Sequence, residues 1–242
     1  MILYSKEKFS FVFSWINKNK DILLQKVNTM SKVRVDTKTK KLIIYAMIIA
    51  IELLLYLTRL GYIQIGIVEI TILPLPVAIA GALLGWKGGT VAGGIFGLTS
   101  FIECFGISPL GSELLNINIF YTFITAFLTR LVMGFLVGLI AEVMSKNTTA
   151  KKLTPVAVSL AAPVLNTLLF CSALVLFFWN TKYLQDTASE LGAAGKSVFA
   201  FIVAFVGINI IVETAVCLVI GTVVCTILFE FKDKIGLKDI VK

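Results

Sequence analysis

Six stretches of this chain, at about 42–61, 74–87, 89–106, 117–143, 154–179 and 198–229, run on with few or no charges. Apolar runs of this length leave few folds open. Lipid offers backbone N–H and C=O groups no hydrogen-bond partner, so a spanning segment must satisfy them internally, as a helix does. A chain of 242 residues that is 58% hydrophobic and 15% charged, with mean hydropathy +0.95, is more apolar than a soluble core absorbs. The expected fold is therefore an all-α membrane protein, a compact bundle of six transmembrane helices over 42–231. A basic segment, 1–41, precedes it and a basic tail, 232–242, follows it. The second run is short and opens on Pro74 and Pro76, residues well tolerated in a first helical turn. The fourth and sixth exceed the roughly 20 residues needed to span and are expected to tilt or protrude.

The net charge of +8 is distributed unevenly. With six spans, all 22 basic residues except Arg59, Arg130, Lys182 and Lys196 fall on one side, in the N-terminal segment, the 87–89 turn, the 144–153 loop and the tail. The positive-inside rule makes that side cytoplasmic, with both termini there, so the charge needs no nucleic-acid partner to explain it. Residues 1–41 lack the apolar stretch and small-residue cleavage site of a signal peptide and are expected to be retained. Within them Phe9, Val12, Phe13 and Ile16 recur at helical spacing between lysines. That pattern fits an interfacial helix on the anionic leaflet, or else a partly ordered basic tail.

Several chemistries are missing. There is no histidine, which removes the commonest general base and metal ligand. Cys104, Cys171, Cys217 and Cys225 all lie in apolar runs without metal-ligand spacing, so they read as small buried hydrophobes, and neither metal nor cofactor is expected. The stretch "GALLGWKGGT" resembles a phosphate-binding loop, but Trp86 stands where Gly must precede the lysine. The chain is not expected to be an enzyme or to hydrolyse ATP itself.

Glycines at 85, 89, 93 and 97, and again at 134 and 138, make smooth strips along which another helix can approach closely. Ala46 and Ala50 form a further small-x-x-x-small pair on the first helix.

Polar groups inside spans are costly and mark function. At about 1.5 Å per residue, Arg130 and Asn209 lie roughly 16 to 18 Å from their outer helix ends, near the midplane. Glu213 shares a helix face with Asn209, one turn on, and Asn166 reaches a similar level from the fifth run. The cost of burying Arg130 is offset where it faces Glu213, as a structural ion pair or as part of a cluster lining a ligand cavity. Glu103 and Glu52, in the third and first runs, either face the bundle interior or snorkel.

The basic N-terminus, the Ala46/Ala50 pair, and the segments "LPLPVAIAGALLGWKGGTVAGGIFGLTS", "TRLVMG", "LNTLLF" and "NIIVE" resemble the substrate-binding S components of energy-coupling factor vitamin transporters. The likeness covers about residues 40 to 232 and is nearest the pantothenate-type pattern. It differs at Thr129, where Pro is frequent, and at Ile210, where Gly is. Riboflavin, cobalamin or another vitamin therefore stays open beside pantothenate. The resemblance implies a multi-pass protein of a prokaryotic cell membrane that captures a vitamin at Arg130, Asn166, Asn209, Glu213 and Glu103. It also implies a transmembrane coupling subunit met at Ala46 and Ala50, and two ATPases that supply the energy. The alternative is a stand-alone secondary transporter using the Arg130 and Glu213 charges for ion coupling. The orientation is testable by reporter fusions, which should place both termini in the cytoplasm; an external C-terminus overturns the six-span count.

Overall fold

The computed structural model describes residues 36–65, 68–193 and 197–234; the side chains of 37, 63–70, 148–149, 208–209 and those beyond 228 lie outside the described set. The chain divides into two units, Met1–Lys40 and Lys41–Lys242. The interfacial helix expected around Phe9 and most of the C-terminal tail fall outside the described residues.

Helix α1 spans Thr37–Leu57 and is followed by two short strands, β1 (Tyr62–Ile65) and β2 (Val68–Thr71). They form an antiparallel hairpin in which Tyr62 opposes Thr71 and Ile65 opposes Val68. This hairpin is a two-stranded addition to a fold that is otherwise helical, as expected. Its β-branched and aromatic run, interrupted at Gly66, satisfies its backbone groups by pairing across the ladder. Helix α2 runs Pro74–Glu103 with prolines in its first turn, and α3 spans Pro109–Ile117. Helix α4 (Ile119–Phe123) passes through a π-helical turn, Ile124–Leu128, into α5 (Thr129–Ser145). A short α6 (Thr148–Lys151) leads to α7 (Thr154–Phe178), then α8 (Lys182–Glu190) and α9 (Val198–Val216). A second π turn, Cys217–Gly221, joins α9 to α10 (Thr222–Lys234). The segments expected as loops at 107–116 and 180–197 thus hold α3 and α8, each opened by a side-chain cap, Ser108 on Gly111 N–H and Thr181 on Leu184 N–H.

Among the described residues four helices are long and apolar enough to cross a membrane: Pro74–Glu103, Ile119–Ser145, Thr154–Phe178 and Ile210–Leu228. The difference from six has physical reasons. Lys40, Lys41 and Glu52 interrupt the apolar run of α1, and the second and third runs are two helical segments that meet at a kinked break without a loop between them, so together they count once. That break is at Gly85 (φ 67°, ψ −155°), two residues before the turn expected at 87–89, in backbone space that glycine enters without penalty. The bend is sharp: a methyl group on Gly88 would meet the carbonyl oxygen of Ala80, eight residues earlier and about 12 Å away in a straight helix.

The most extensive packing in the molecule is α2 on α5, with α7 against both. Its basis is a glycine seam. Gly89 and Gly134 lie so close that a methyl on either would overlap the other's carbonyl oxygen. Farther along, Gly93 faces the Arg130 carbonyl and Gly97 faces Phe127, while Gly81 meets Gly138 on the other side of the break. Two apolar cores result. One gathers Val77, Phe96, Met133, Val137 and Val158, and the other gathers Leu110, Leu174, Phe178, Leu184 and Phe201. Gly89→Ala should destabilise the protein by about 1 to 3 kcal/mol through overpacking, whereas Gly94→Ala should stay within about 0.5 kcal/mol. The contrast follows because the nearest atom to a methyl on Gly94 is the yielding Cδ1 of Leu131, at 3.3 Å. Thermal unfolding in detergent measures it, and equal destabilisation at both sites contradicts a rigid seam.

Candidate functional site

Tyr62 of the first core and Leu110, Leu114 and Val206 of the second contribute to the wall of one cavity, about 830 Å³ counted out to its open mouth. Arg130 from α5, Asn166 from α7, Glu213 from α9 and Glu103 from the end of α2 all line it. Three of the four residues read from sequence as converging in depth, Arg130, Asn166 and Glu213, therefore converge laterally as well. The side chain of Asn209 lies outside the described residues.

The π turn sets the geometry at Arg130. The Thr125 carbonyl, inside that turn, accepts from Thr129 Oγ1 at 2.6 Å and from Arg130 Nη1 at 2.7 Å. Nη1 also donates to Thr129 Oγ1 at 3.1 Å. The guanidinium carbon sits 4.6 Å from the Phe170 ring centroid and 5.6 Å from that of Phe96, close enough for cation–π attraction. Its partners are thus one carbonyl, one hydroxyl and two ring faces. The residue is 8% exposed, and Nε has no acceptor among the described residues. A guanidinium carries five donors, so this one keeps several unspent toward the cavity.

Arg130 and Glu213, read from sequence as an ion pair or as part of a cavity-lining cluster, line one cavity without forming a direct ion pair. Glu213 Oε1 instead accepts from the backbone N–H of Thr71 at 2.7 Å, which joins α9 to the end of β2. A neutral backbone donor reaches the carboxylate first because the chain entering α2 runs directly past it, a contact no sequence spacing encodes. Asn166 is buried with Oδ1 lacking a protein partner among the described residues. Glu103 is buried and paired with Arg59 at 3.7 Å, whose side chain is 56% exposed. Arg59 holds a positive φ of 59°, uncommon for a residue with a side chain.

The hairpin supplies residues that the sequence reading missed. Thr99 Oγ1 donates to the Phe96 carbonyl at 2.9 Å, so in the 3.3 Å contact between Tyr62 and Thr99 the phenol is the donor. Burial pushes the Tyr62 phenol well above its usual range and keeps it protonated. Tyr62 and Thr71, opposite one another in the ladder, both line the cavity, as do Thr122, Thr125 and Thr167. The signal for the hairpin was present as two β-branched runs separated by a pair beginning with Gly66. The threonines carried none, because Thr is common in helices that pack closely.

Glu52, left open between interior and snorkelling, is fully buried in α1 away from this cavity. Ala46 and Ala50 are exposed on α1, beside exposed Met47 and Leu54. Among the described residues no group of three His, Cys, Asp or Glu side chains is placed to hold a metal. The site offers a cation, two carboxylates, an amide and hydroxyls around an apolar floor, an arrangement for binding a polar organic molecule.

A family profile described as "ECF transporter, substrate-specific component" matches residues 40–225. The pantothenate transporter PanT of Leuconostoc mesenteroides subsp. mesenteroides is 36% identical over 109 residues, which cover 43% of this chain and 52% of that protein. The match thus spans about half the length of that relative. Extending over most of the chain, including every helix that contributes to the cavity, the profile places this multi-pass membrane protein in the family of substrate-specific components of energy-coupling factor transporters.

Proposed function

We propose that this protein is the high-affinity capture subunit of an importer for a small vitamin, with pantothenate favoured over riboflavin or cobalamin. In this reading Arg130 binds the ligand's carboxylate, and Glu103, Asn166, Asn209 and Glu213 meet its hydroxyl and amide groups. The observation that carries it is the buried guanidinium with unspent donors at a cavity wall. A planar fork of donors matches a carboxylate in a way a lysine does not. Pantothenate presents a carboxylate at one end and hydroxyls with an amide at the other, complementary to a cation on one side and to carboxylates and an amide on the other. The pantothenate transporter matched over about half of its length supports the same ligand.

Energy comes, on this reading, from two ATPases reached through a transmembrane coupling subunit, with Ala46 and Ala50 as the small residues that let its helix approach α1. Their exposure on α1 supports that role. The alternative is a stand-alone secondary transporter that uses the Arg130 and Glu213 charges for ion coupling; membership in a family of substrate-specific components favours the capture reading.

Calorimetry with pantothenate tests the site. Arg130→Gln should lose about 1.5 to 3 kcal/mol of binding, one to two decades in affinity, and Arg130→Lys should recover little of it. Unchanged affinity in a folded Arg130→Gln protein overturns the assignment. Replacing Ala46 and Ala50 by leucine should abolish uptake in cells that co-express the coupling subunit and ATPases while leaving binding nearly intact. Uptake at the unsubstituted rate removes the docking role.

A further inference from the structure

We propose that the cavity is selective by charge: it admits a singly charged anion and rejects the same molecule carrying a phosphate monoester, with Glu103 and Glu213 as the residues that enforce the difference. This rests on the reading of Arg130 as the carboxylate site.

The argument is a count of countercharges. Among the described residues lining the cavity, Arg130 is the one cation, and the lining carboxylates are Glu103 and Glu213. Arg130 spends its protein contacts on a carbonyl, a hydroxyl and two aromatic faces, none of which carries opposite charge. Glu213 acts on it through space without a hydrogen bond between them, so the unspent donors of Arg130 fall to the first anionic group that enters. Arg59, the nearest further guanidinium by pairing, is bound to Glu103 from outside the lining and stays half exposed. Glu213 is held by the neutral Thr71 N–H.

A second negative group on the ligand finds no cation left. Where the two carboxylates are ionised they repel it, and where either is protonated the new charge still sits uncompensated in a desolvated site. Neutral groups such as Asn166, Thr125 and Thr167 bond to hydroxyls and amides but do not neutralise a dianion. The same carboxylates are good acceptors for ligand hydroxyls, so the feature that favours a free hydroxyl disfavours its phosphorylated form.

The experiment measures affinity, by calorimetry on the purified full chain, for pantothenate, for its phosphate monoester, and for a neutral acetate ester of the same hydroxyl. The phosphate ester should bind at least about a hundredfold more weakly than pantothenate, and the acetate ester should lose much less. In Glu213→Gln, which keeps an oxygen for the Thr71 N–H, the ratio of pantothenate to phosphate-ester affinity should narrow about tenfold. Glu103→Gln, which frees Arg59, should narrow it in the same direction. Phosphate-ester binding within tenfold of pantothenate overturns the proposal while leaving the vitamin reading intact. Equal rejection of the acetate ester, or a ratio unmoved in both variants, overturns it in favour of size. Failure of pantothenate itself to bind overturns both readings together.

Discussion

The close approach of α2 to α5 is the constraint on which the remaining geometry depends. Where Gly89 meets Gly134 no side chain separates the two backbones, and one turn further Gly93 rests on the carbonyl of Arg130 itself. The main chain that carries the guanidinium is therefore fixed by contact with another helix's backbone, which yields far less than a side chain does. Apolar lipid supplies little drive to press helices together, so close van der Waals packing along such seams is what holds the bundle. The π turn just before Arg130 then aims the side chain by presenting the Thr125 carbonyl to it. Backbone placement and side-chain direction thus come from separate devices, one between helices and one within a helix. Both lie in the segment that lines the cavity, in keeping with the tendency of π turns to occur at functional sites.

Around that fixed guanidinium the other polar groups are held by different means. The hairpin is attached to the bundle by the Thr71 N–H on Glu213, the Tyr62 hydroxyl on Thr99 and, at its root, Arg59 on Glu103. Two of these three attachments end on a cavity carboxylate. Glu103 and Glu213 therefore have a structural duty that stands apart from any ligand, and changes at either act on the hairpin as well as on the wall.

Much of this was legible in the sequence, for reasons that differ by feature. Helix positions came from the length of apolar runs, since a segment in lipid has one way to satisfy its backbone; α7, expected at 154–179, spans Thr154–Phe178. Arg130, Asn166, Glu103 and Glu213 were found because a polar group in an apolar helix is conspicuous, and their depth follows from a constant rise per residue. The partners of those groups were not legible. That Glu213 binds Thr71, 142 positions away, depends on the packing of the hairpin, and nothing local to either residue records it. Gly85 was visible as one glycine of a strip and does pack on Gly138, but its further role as the break is decided by the backbone angles of the folded chain.

The two guanidinium groups near the cavity live in different dielectric surroundings. Arg130 lies at the cavity wall between aromatic faces and its own helix and is 8% exposed, so mobile ions screen it less. Arg59 meets Glu103 with most of its side chain in the open, so that contact is weakened by mobile ions within a Debye length, about 8 Å at physiological ionic strength. The turn it stabilises is held against the backbone preference of a residue at positive φ. The root of the hairpin is therefore tuned by ionic strength, while the charge at the centre of the site responds to it less.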